Sequence, residues 1–225
     1  MPISRYVPTS ALSRAGVCTS TTRPASPYEG MVIYESDTDR TLVWNASAWV
    51  SPNSTTANPP GLELVATGTL SSTATNFVGC FTSAYDNYRI IIDQVSFSSA
   101  ADVYWRMLSG TTEQTGANYS WMLRGINTAG TSQDSFATAQ TLGYTGCTGS
   151  GVNNLRIGMV TMDITAPAVA QRTLVSSTAT SYNAAWISRT GMSVHDVTTA
   201  YDGIRFVTNA APTFAGNVSI YGYRK

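Results

Sequence analysis

The only histidine of the chain, His195, is followed directly by Asp196, and a histidine beside a carboxylate suggests a general base. Such a pair works in catalysis when the carboxylate hydrogen-bonds the imidazole and fixes its orientation. The surrounding residues have the composition of a β-strand, in which neighbouring side chains point to opposite faces, so Asp196 is poorly placed to orient His195. We therefore predict a surface or turn histidine. A metal site built on two histidines is excluded because there is no second one.

Carboxylates are the other groups that could do chemistry, as metal ligands or as the acid–base pair of a glycoside hydrolase. Asp37 and Asp39 have the spacing of a calcium loop, but the glycine and glutamate that such a loop needs are missing, so we assign them to a turn. Glu113 is the only glutamate in the body of the later chain, and the aspartates there fall at expected strand ends and turns. Nucleophile-elbow, phosphate-loop and dinucleotide motifs are also missing. We expect no enzyme activity, no cofactor and no metal.

Charge is scarce in this sequence. Charged residues make up 12% of the 225 residues, and the formal net charge is zero. Lysine occurs once and the arginines are scattered singly, so we expect no nucleic-acid partner, which would need clustered positive charge. No apolar run approaches the ~20 residues of a membrane span, and the first residues lack the apolar segment of a signal peptide. We expect a protein made without secretion or membrane insertion.

Three cysteines, Cys18, Cys80 and Cys147, are too few and too far apart for a disulfide framework or a zinc site. An odd count also leaves at least one thiol free within a single chain. We predict that they are buried, reduced thiols of a protein made in a cytosol.

The first 60 residues form a separate part of the chain by composition. Residues 1–27 are rich in Ser, Thr, Arg and Pro, which predicts an extended arm. Residues 30–45 hold two apolar runs around an Asp-rich turn, which predicts a β-hairpin. Two or three strands are not stable alone in water, so we expect this small sheet to pack on another copy or a larger assembly. The residues expected to make those contacts are Tyr34, Trp44 and Trp49.

Residues 51–61 are rich in Ser, Asn and Pro and predict a linker, which separates an anchoring module, 1–60, from a larger domain, 61–225. Short strand-like stretches follow, with Gly, Asn and Ser clusters between them and no helical periodicity. The pattern predicts an all-β protein: an N-terminal extended arm and small β-hairpin module, then an antiparallel β-sandwich of jelly-roll type. The predicted strands of the sandwich are 63–70, 76–81, 88–97, 103–108, 119–126, 137–144, 155–164, 172–177, 183–189, 203–207 and 217–223.

The stretches 85–95 and 102–108 are the richest in aromatic and β-branched side chains. We predict that they form the central hairpin of the sandwich, with Trp105 and the face of Ile90 and Ile92 in the core. Along the later strand, the alternation of side chains predicts that Arg156 points outward.

Aromatic side chains are the remaining resource for binding, with twelve Tyr, five Trp and six Phe. Lectins with a β-sandwich fold stack sugars on exposed Tyr and Trp and add hydrogen bonds from neighbouring Asn and Gln. The same side chains could instead pack in the core or at a subunit interface, and the sequence leaves both alternatives open. The candidate glycan contacts are Tyr119, Trp121, Tyr144, Tyr182 and Trp186.

Residues 27–50, PYEGMVIYESDTDRTLVWNASAWV, resemble a short module of tailed-phage virion proteins along their whole length, except that Ala46 stands where that pattern tends to have glycine. Later stretches are similar to β-sandwich domains of phage tail and appendage proteins, so the resemblance covers most of the chain. Those stretches are SAYDNYRI at 83–90, WRM at 105–107, ANYSW at 117–121 and GNVSIYG at 216–222.

The resemblance implies a virion structural or adhesion subunit, usually a homotrimer, with no catalytic residues to carry over. The leading hypothesis is a subunit of a short tail fibre, located in the virion after synthesis in the host cytoplasm. Residues 1–60 would dock on other virion proteins, and residues 61–225 would form a trimeric head facing host-surface glycans. One alternative is a capsid decoration or head-fibre protein. Another, of a different class, is a carbohydrate-binding module or a depolymerase.

Overall fold

The computed structural model describes residues 15–52, 61–150, 158–209 and 211–224. The chain divides into two compact units, Met1–Pro59 and Pro60–Lys225, and every regular element of the described residues is a β-strand. The predicted fold class, an all-β protein with a sandwich, is confirmed. Arg156 and the beginning of the strand predicted at 155–164 lie outside the described residues.

The N-terminal unit contains a four-stranded sheet. Its strands, in sheet order, are β1 (Gly16–Cys18), β2 (Val32–Glu35), β3 (Arg40–Trp44) and β4 (Trp49–Val50). The predicted hairpin is present as β2 and β3, which pair antiparallel, whereas β1 lies parallel along β2. A part of the predicted arm therefore adds a strand to the sheet. The Asp37 carboxylate in the turn after β2 fixes it, because it accepts hydrogen bonds from the amide of Ser20 at 2.9 Å and from its hydroxyl at 2.6 Å.

The second unit contains thirteen strands, hydrogen-bonded into one continuous sheet. They are β5 (Leu62–Leu70), β6 (Ala74–Phe77), β7 (Asn87–Phe97), β8 (Ala100–Ser109), β9 (Thr112–Glu113), β10 (Tyr119–Asn127), β11 (Ser135–Gln140), β12 (Gly143–Ser150), β13 (Gly158–Thr165), β14 (Thr173–Tyr182), β15 (Trp186–His195), β16 (Gly203–Thr208) and β17 (Phe214–Tyr223).

This sheet folds over into two layers. The first layer has eight strands in the order β5-β17-β7-β13-β14-β15-β10-β11, and every neighbouring pair in it is antiparallel. The second has the order β12-β8-β16-β6, with β9 paired to β8. A single parallel pair, Gly149 with Tyr182, joins β12 to β14 and connects the layers. Side chains of both layers meet in one core, to which β7, β8, β13 and β17 all contribute.

The central pair of strands is arranged differently from the prediction. Trp105, Ile90 and Ile92 are fully buried in the core, as predicted. However, β7 and β8 do not pair with each other: β7 pairs with β13 and β17 in the first layer, and β8 with β9, β12 and β16 in the second. The expected central hairpin is therefore wrong. The two residues between the strands, Ser98 and Ser99, carry the chain from one layer to the other, since both strands have an apolar face that must be buried.

The stretch predicted as one strand at 137–144 is two strands, β11 and β12, that belong to different layers. The Gly- and Ser-rich residues that follow, predicted as a separating turn from Gly146 onward, continue β12 up to Ser150. Strand β9 has no counterpart among the predicted strands.

Candidate functional site

Two predicted glycan contacts, Tyr182 and Trp186, lie together on the outer face of the eight-stranded layer. Tyr182 ends β14, Trp186 begins β15, and the two are directly paired across the strands. Their ring centroids are 5.6 Å apart and the ring planes meet at 72°. Trp186 is 51% exposed. An exposed indole held edge-on by a tyrosine is a suitable platform for stacking a flat apolar surface. We call this pair the aromatic end of the outer face.

A surface hollow of about 260 Å³ lies beside the aromatic end. The hydroxyls of Thr180 and Ser188 can both donate and accept hydrogen bonds there. The side-chain oxygen of Asn127 accepts hydrogen bonds from the amides of Ala129 at 3.1 Å and Thr131 at 2.9 Å, which leaves its NH₂ group for a ligand. No charged side chain lines the hollow, so it fits a neutral ligand rich in hydroxyls. The lining residues are Ile126, Asn127, Thr128, Thr180, Trp186, Ile187 and Ser188.

The polar residues of this site, Asn127, Thr180 and Ser188, were not predicted from the sequence. The alternation of side chains along a strand nevertheless indicates one of them. Side chains alternate along a strand, so an outward Trp186 places Ser188 on the same face and Ile187 in the core. Thr180 is opposite Ser188 on the neighbouring strand. That pairing depends on the strand register, which the sequence alone does not give.

Tyr119 is not part of the site, because it is fully buried on the inner face of β10. Its ring packs against Trp105, with centroids 5.2 Å apart. Its hydroxyl accepts a hydrogen bond from the amide of Met107 at 3.1 Å and donates one to the carbonyl of Gln114 at 3.0 Å. Burial also raises the pKa of Tyr119. The prediction that Tyr119 contacts a glycan is wrong.

Trp121 and Tyr144 belong to a second aromatic cluster, which they form with Tyr104. The rings of Tyr104 and Tyr144 stack with centroids 4.9 Å apart, and Trp121 packs edge-on against both. Trp121 is half-buried, and its indole N–H donates to the Ser135 hydroxyl at 3.1 Å. The cluster joins β8, β10 and β12, and Trp121 also lines a surface hollow beside Met122 and Met192, so its contact with a glycan stays a prediction.

The hydroxyl of Tyr144 is also occupied. It accepts a hydrogen bond from Nη1 of Arg189 at 2.9 Å and donates one to the Asp102 carboxylate at 3.2 Å. Nη1 of Arg189 also donates to the carbonyl of Gly146 at 3.1 Å, and its Nε donates to the carbonyl of Gln133 at 2.8 Å. Because Tyr144 is buried and fully bonded, the prediction that it contacts a glycan is wrong. Burial raises the pKa of Tyr144, so it stays a neutral donor.

The three residues predicted for assembly contacts are all half-buried, but only two come together. Trp44 and Trp49 pair across β3 and β4, with ring centroids 5.4 Å apart and planes at 61°. Tyr34 is paired with Thr41, and the alternation along the strands places it on the opposite face of the sheet. Its hydroxyl donates to the Asp39 carboxylate, which raises the pKa of Tyr34.

His195 is in the core, so the prediction of a surface or turn residue is wrong. It is fully buried, and its ring lies between those of Tyr119 and Tyr201, with centroids 4.4 and 5.2 Å away. Neither ring nitrogen has a hydrogen-bond partner among the described residues. Burial lowers the pKa of His195 to about 4, so the imidazole is neutral at pH 7. The neighbouring Asp196 carboxylate is bonded to Arg172 instead.

The cysteines are free thiols. Cys80 and Cys147 are buried, as predicted, and burial raises the pKa of each to about 12, which makes both unreactive. Cys18 is only half-buried. Within residues 15–52, 61–150, 158–209 and 211–224, no group of three or more His, Cys, Asp or Glu side chains could hold a metal ion.

The same described ranges contain no helix with the length and apolar character that crossing a membrane requires.

Comparison with known proteins identifies no family for this chain. Neither a protein-family model nor a curated protein sequence matches this chain. A fructofuranosidase from Schwanniomyces occidentalis, solved in complex with fructosylnystose, is similar over 87% of this chain and 39% of the enzyme, at 9% identity and a TM-score of 0.22. This chain thus spans well under half the length of that enzyme, and a likeness at this level carries no argument about fold or function.

Proposed function

We propose that this chain is a structural and attachment subunit of a tailed-phage virion, assembled as a homotrimer. Residues 1–60 hold it to other virion proteins, and the sandwich of residues 61–225 presents a sugar-binding face to the host surface. The virion assignment is supported by the resemblance of residues 27–50 to a short module of such proteins. The sugar-binding assignment is supported by the geometry of the aromatic end.

The hollow at the aromatic end is the observation that carries the binding proposal. A pyranose ring has an apolar face of C–H groups, which stacks on an exposed indole such as Trp186, and a rim of hydroxyls. Thr180, Ser188 and Asn127 line the hollow at positions that can bond such a rim. Because the lining is uncharged, we propose a neutral sugar as the ligand.

The anchoring role of the N-terminal unit is supported by its small core. Among its described residues, the fully or nearly fully buried apolar side chains are Ile33 and Leu42. Trp44 and Trp49 remain half-exposed on the same sheet. A sheet of four short strands with so little buried area is marginally stable, so a partner that covers the two tryptophans would stabilise it.

The sugar site is tested with Trp186→Ala in the full chain, by titration against neutral polysaccharide from host cells. We expect affinity to fall at least about tenfold, because the stacking surface is removed. Leu174→Ala is the matched control, since Leu174 is about as exposed and lies on the same face at the other end of β14. Equal affinity of the Trp186→Ala variant and the wild type would place sugar binding elsewhere.

The anchoring role is tested by removing residues 1–60 and measuring incorporation into particles. We expect a chain that still binds host polysaccharide but no longer joins the particle. Incorporation of the truncated chain would contradict the role of residues 1–60. Sugar binding by a full chain that never enters particles would favour a free carbohydrate-binding module.

A further inference from the structure

The other end of the same outer face exposes three large apolar side chains in one cross-strand row. Met192 on β15 is paired with Met122 on β10, which is paired with Phe136 on β11. Their exposed fractions are 45%, 59% and 84%. We call this row the apolar end. Between it and the aromatic end lies a pair of threonines, Thr178 and Thr190, whose hydroxyls bond each other at 3.3 Å.

The apolar end has the size of the apolar patches that often bind a partner on soluble proteins. Side chains of this size bury roughly 150–250 Å² each, so the exposed parts of the three amount to about 400 Å². That is about half of the ~800 Å² that each partner contributes to an interface of standard size. An adjoining hollow of about 210 Å³ extends the uncharged surface. Besides Met122 and Met192, the residues that line this hollow are Ser120, Trp121, Ala137, Thr138, Ser193 and Val194.

Strand β11 leaves the edge of this face open. Among the described residues β11 pairs only with β10, so its outer backbone groups have no strand beside them. Edge strands that remain exposed usually carry a proline or a charged side chain such as lysine, which prevents pairing with a second chain. The sequence of β11, Ser135–Gln140, contains no proline and no charge, and Phe136 projects from it. An edge strand without charge or proline, and with an exposed phenylalanine, is typical of an edge that another chain covers.

The rim of the apolar end carries one charge of each sign. Arg124 follows Met122 on the outer face of β10, and Asp134 precedes β11. Both are exposed, and neither forms an ion pair with another described residue. Both line one shallow hollow of about 430 Å³, which shares Ile126 and Ser188 with the hollow at the aromatic end, so the charges lie on the side of the apolar end that faces the aromatic end. Asp134 accepts one hydrogen bond, from the amide of Gly125 at 3.0 Å. In a ring of three copies, charges of opposite sign on the rim allow Arg124 of each copy to lie beside Asp134 of the next.

We propose that copies of this chain pack on one another through the apolar end, with Arg124 of one copy beside Asp134 of the next. The inference rests on the homotrimer of the proposed function and names the surface that forms it. A neutral chain supports it as well, since copies with a net charge of zero do not repel one another.

Methionine oxidation tests the proposal in the full-length protein. Hydrogen peroxide converts accessible methionine thioethers to sulfoxides, which mass spectrometry locates residue by residue. Met159 on β13 is 46% exposed and outside the apolar end, so it is the internal reference. In the assembled wild type we expect Met122 and Met192 to oxidise at least about fivefold more slowly than Met159, because a second copy covers them.

Phe136→Ser should abolish that protection, so that all three methionines oxidise at similar rates. Phe136 is so exposed in the single chain that this variant should fold normally. Leu64→Ser, at an exposed apolar position on the opposite edge strand β5, is the control and should keep the protection. This readout is local, so it works even if residues 1–60 also hold the copies together.

The outcomes separate this inference from the proposed function. A solution mass of three 24.0 kDa chains, with Met122 and Met192 oxidised as fast as Met159, would overturn the inference and leave the homotrimer standing. A mass of one chain would overturn both the homotrimer and the inference, while the sugar site at Trp186 keeps its own test.

Discussion

The inner and outer faces of β10, β14 and β15 differ in role although they belong to the same strands. The inner face carries Tyr119, Ile187 and His195, all buried. The outer face carries Trp186 and Met122, both more than half exposed. Aromatic and other apolar side chains occur on both, so residue type does not show which face binds. The position of a residue in the alternation of its strand decides whether it stabilises the fold or is available to a partner.

The largest expected effect is on the inner side of the sandwich. Trp105 is fully buried, packs against Tyr119, and is the largest fully buried side chain described. Trp105→Ala should therefore lower the free energy of unfolding by about 3–5 kcal/mol, because it removes buried apolar surface and leaves a cavity. Urea unfolding followed by circular dichroism measures this. A loss below about 1 kcal/mol would show that the inner face is not the stabilising one.

The second-largest expected effect is the loss of folding stability when His195, on the inner face, is protonated in acid. The pKa of His195 is about 4 in the folded chain and about 6.5 unfolded, so its neutral form stabilises the fold above pH 6.5. That contribution, about 3 kcal/mol, is lost as the pH falls from 6.5 through 4, since protonation puts a charge between the neutral rings of Tyr119 and Tyr201. Burial lowers the pKa of His195 more than the Asp196 carboxylate, which is bonded to Arg172, raises it.

The comparison of wild type with His195→Phe isolates this contribution from that of the carboxylates. Urea unfolding of both chains at pH 7 and at pH 4.5 gives the two changes in stability. We expect the wild type to lose about 2 kcal/mol more than the variant over this interval, because the last part of the titration lies below pH 4.5. Equal losses would mean that water or a neighbouring group accommodates the charged imidazole.

Sequence patterns located most strands but not their partners. The stretch predicted at 88–97 is β7 to within one residue, because its β-branched and aromatic residues alternate clearly. That β7 and β8 face each other across the core instead of pairing was not predictable from a two-residue connection, which most often makes a hairpin. On β10, both Tyr119 and Met122 are large and apolar, so the pattern could not show which of the two faces points inward.

The predicted strand ended at residue 144, whereas β12 continues to Ser150, and this difference has a specific physical cause. Gly146 and Gly149 were predicted in a turn and Gly143 within the strand at 137–144, whereas all three belong to β12 and large rings pack directly on Gly143 and Gly149. A Cβ atom on Gly143 would lie 2.2 Å from the ring of Trp105, and one on Gly149 would lie 2.2 Å from the ring of Phe97. Glycine in a strand is typical of such close approach. A single sequence does not reveal which ring from another strand occupies that space.

The smallest expected effect on stability is at the aromatic end of the outer face. Trp186→Ala should change the free energy of unfolding by no more than about 0.5 kcal/mol, because half of the side chain is already in water and its main ring contact is Tyr182. Trp105→Ala, measured in the same way, provides the contrast between two tryptophans of one sandwich. If Trp186→Ala instead cost as much as Trp105→Ala, Trp186 would be part of the packing, and its loss could not be used to locate a sugar site.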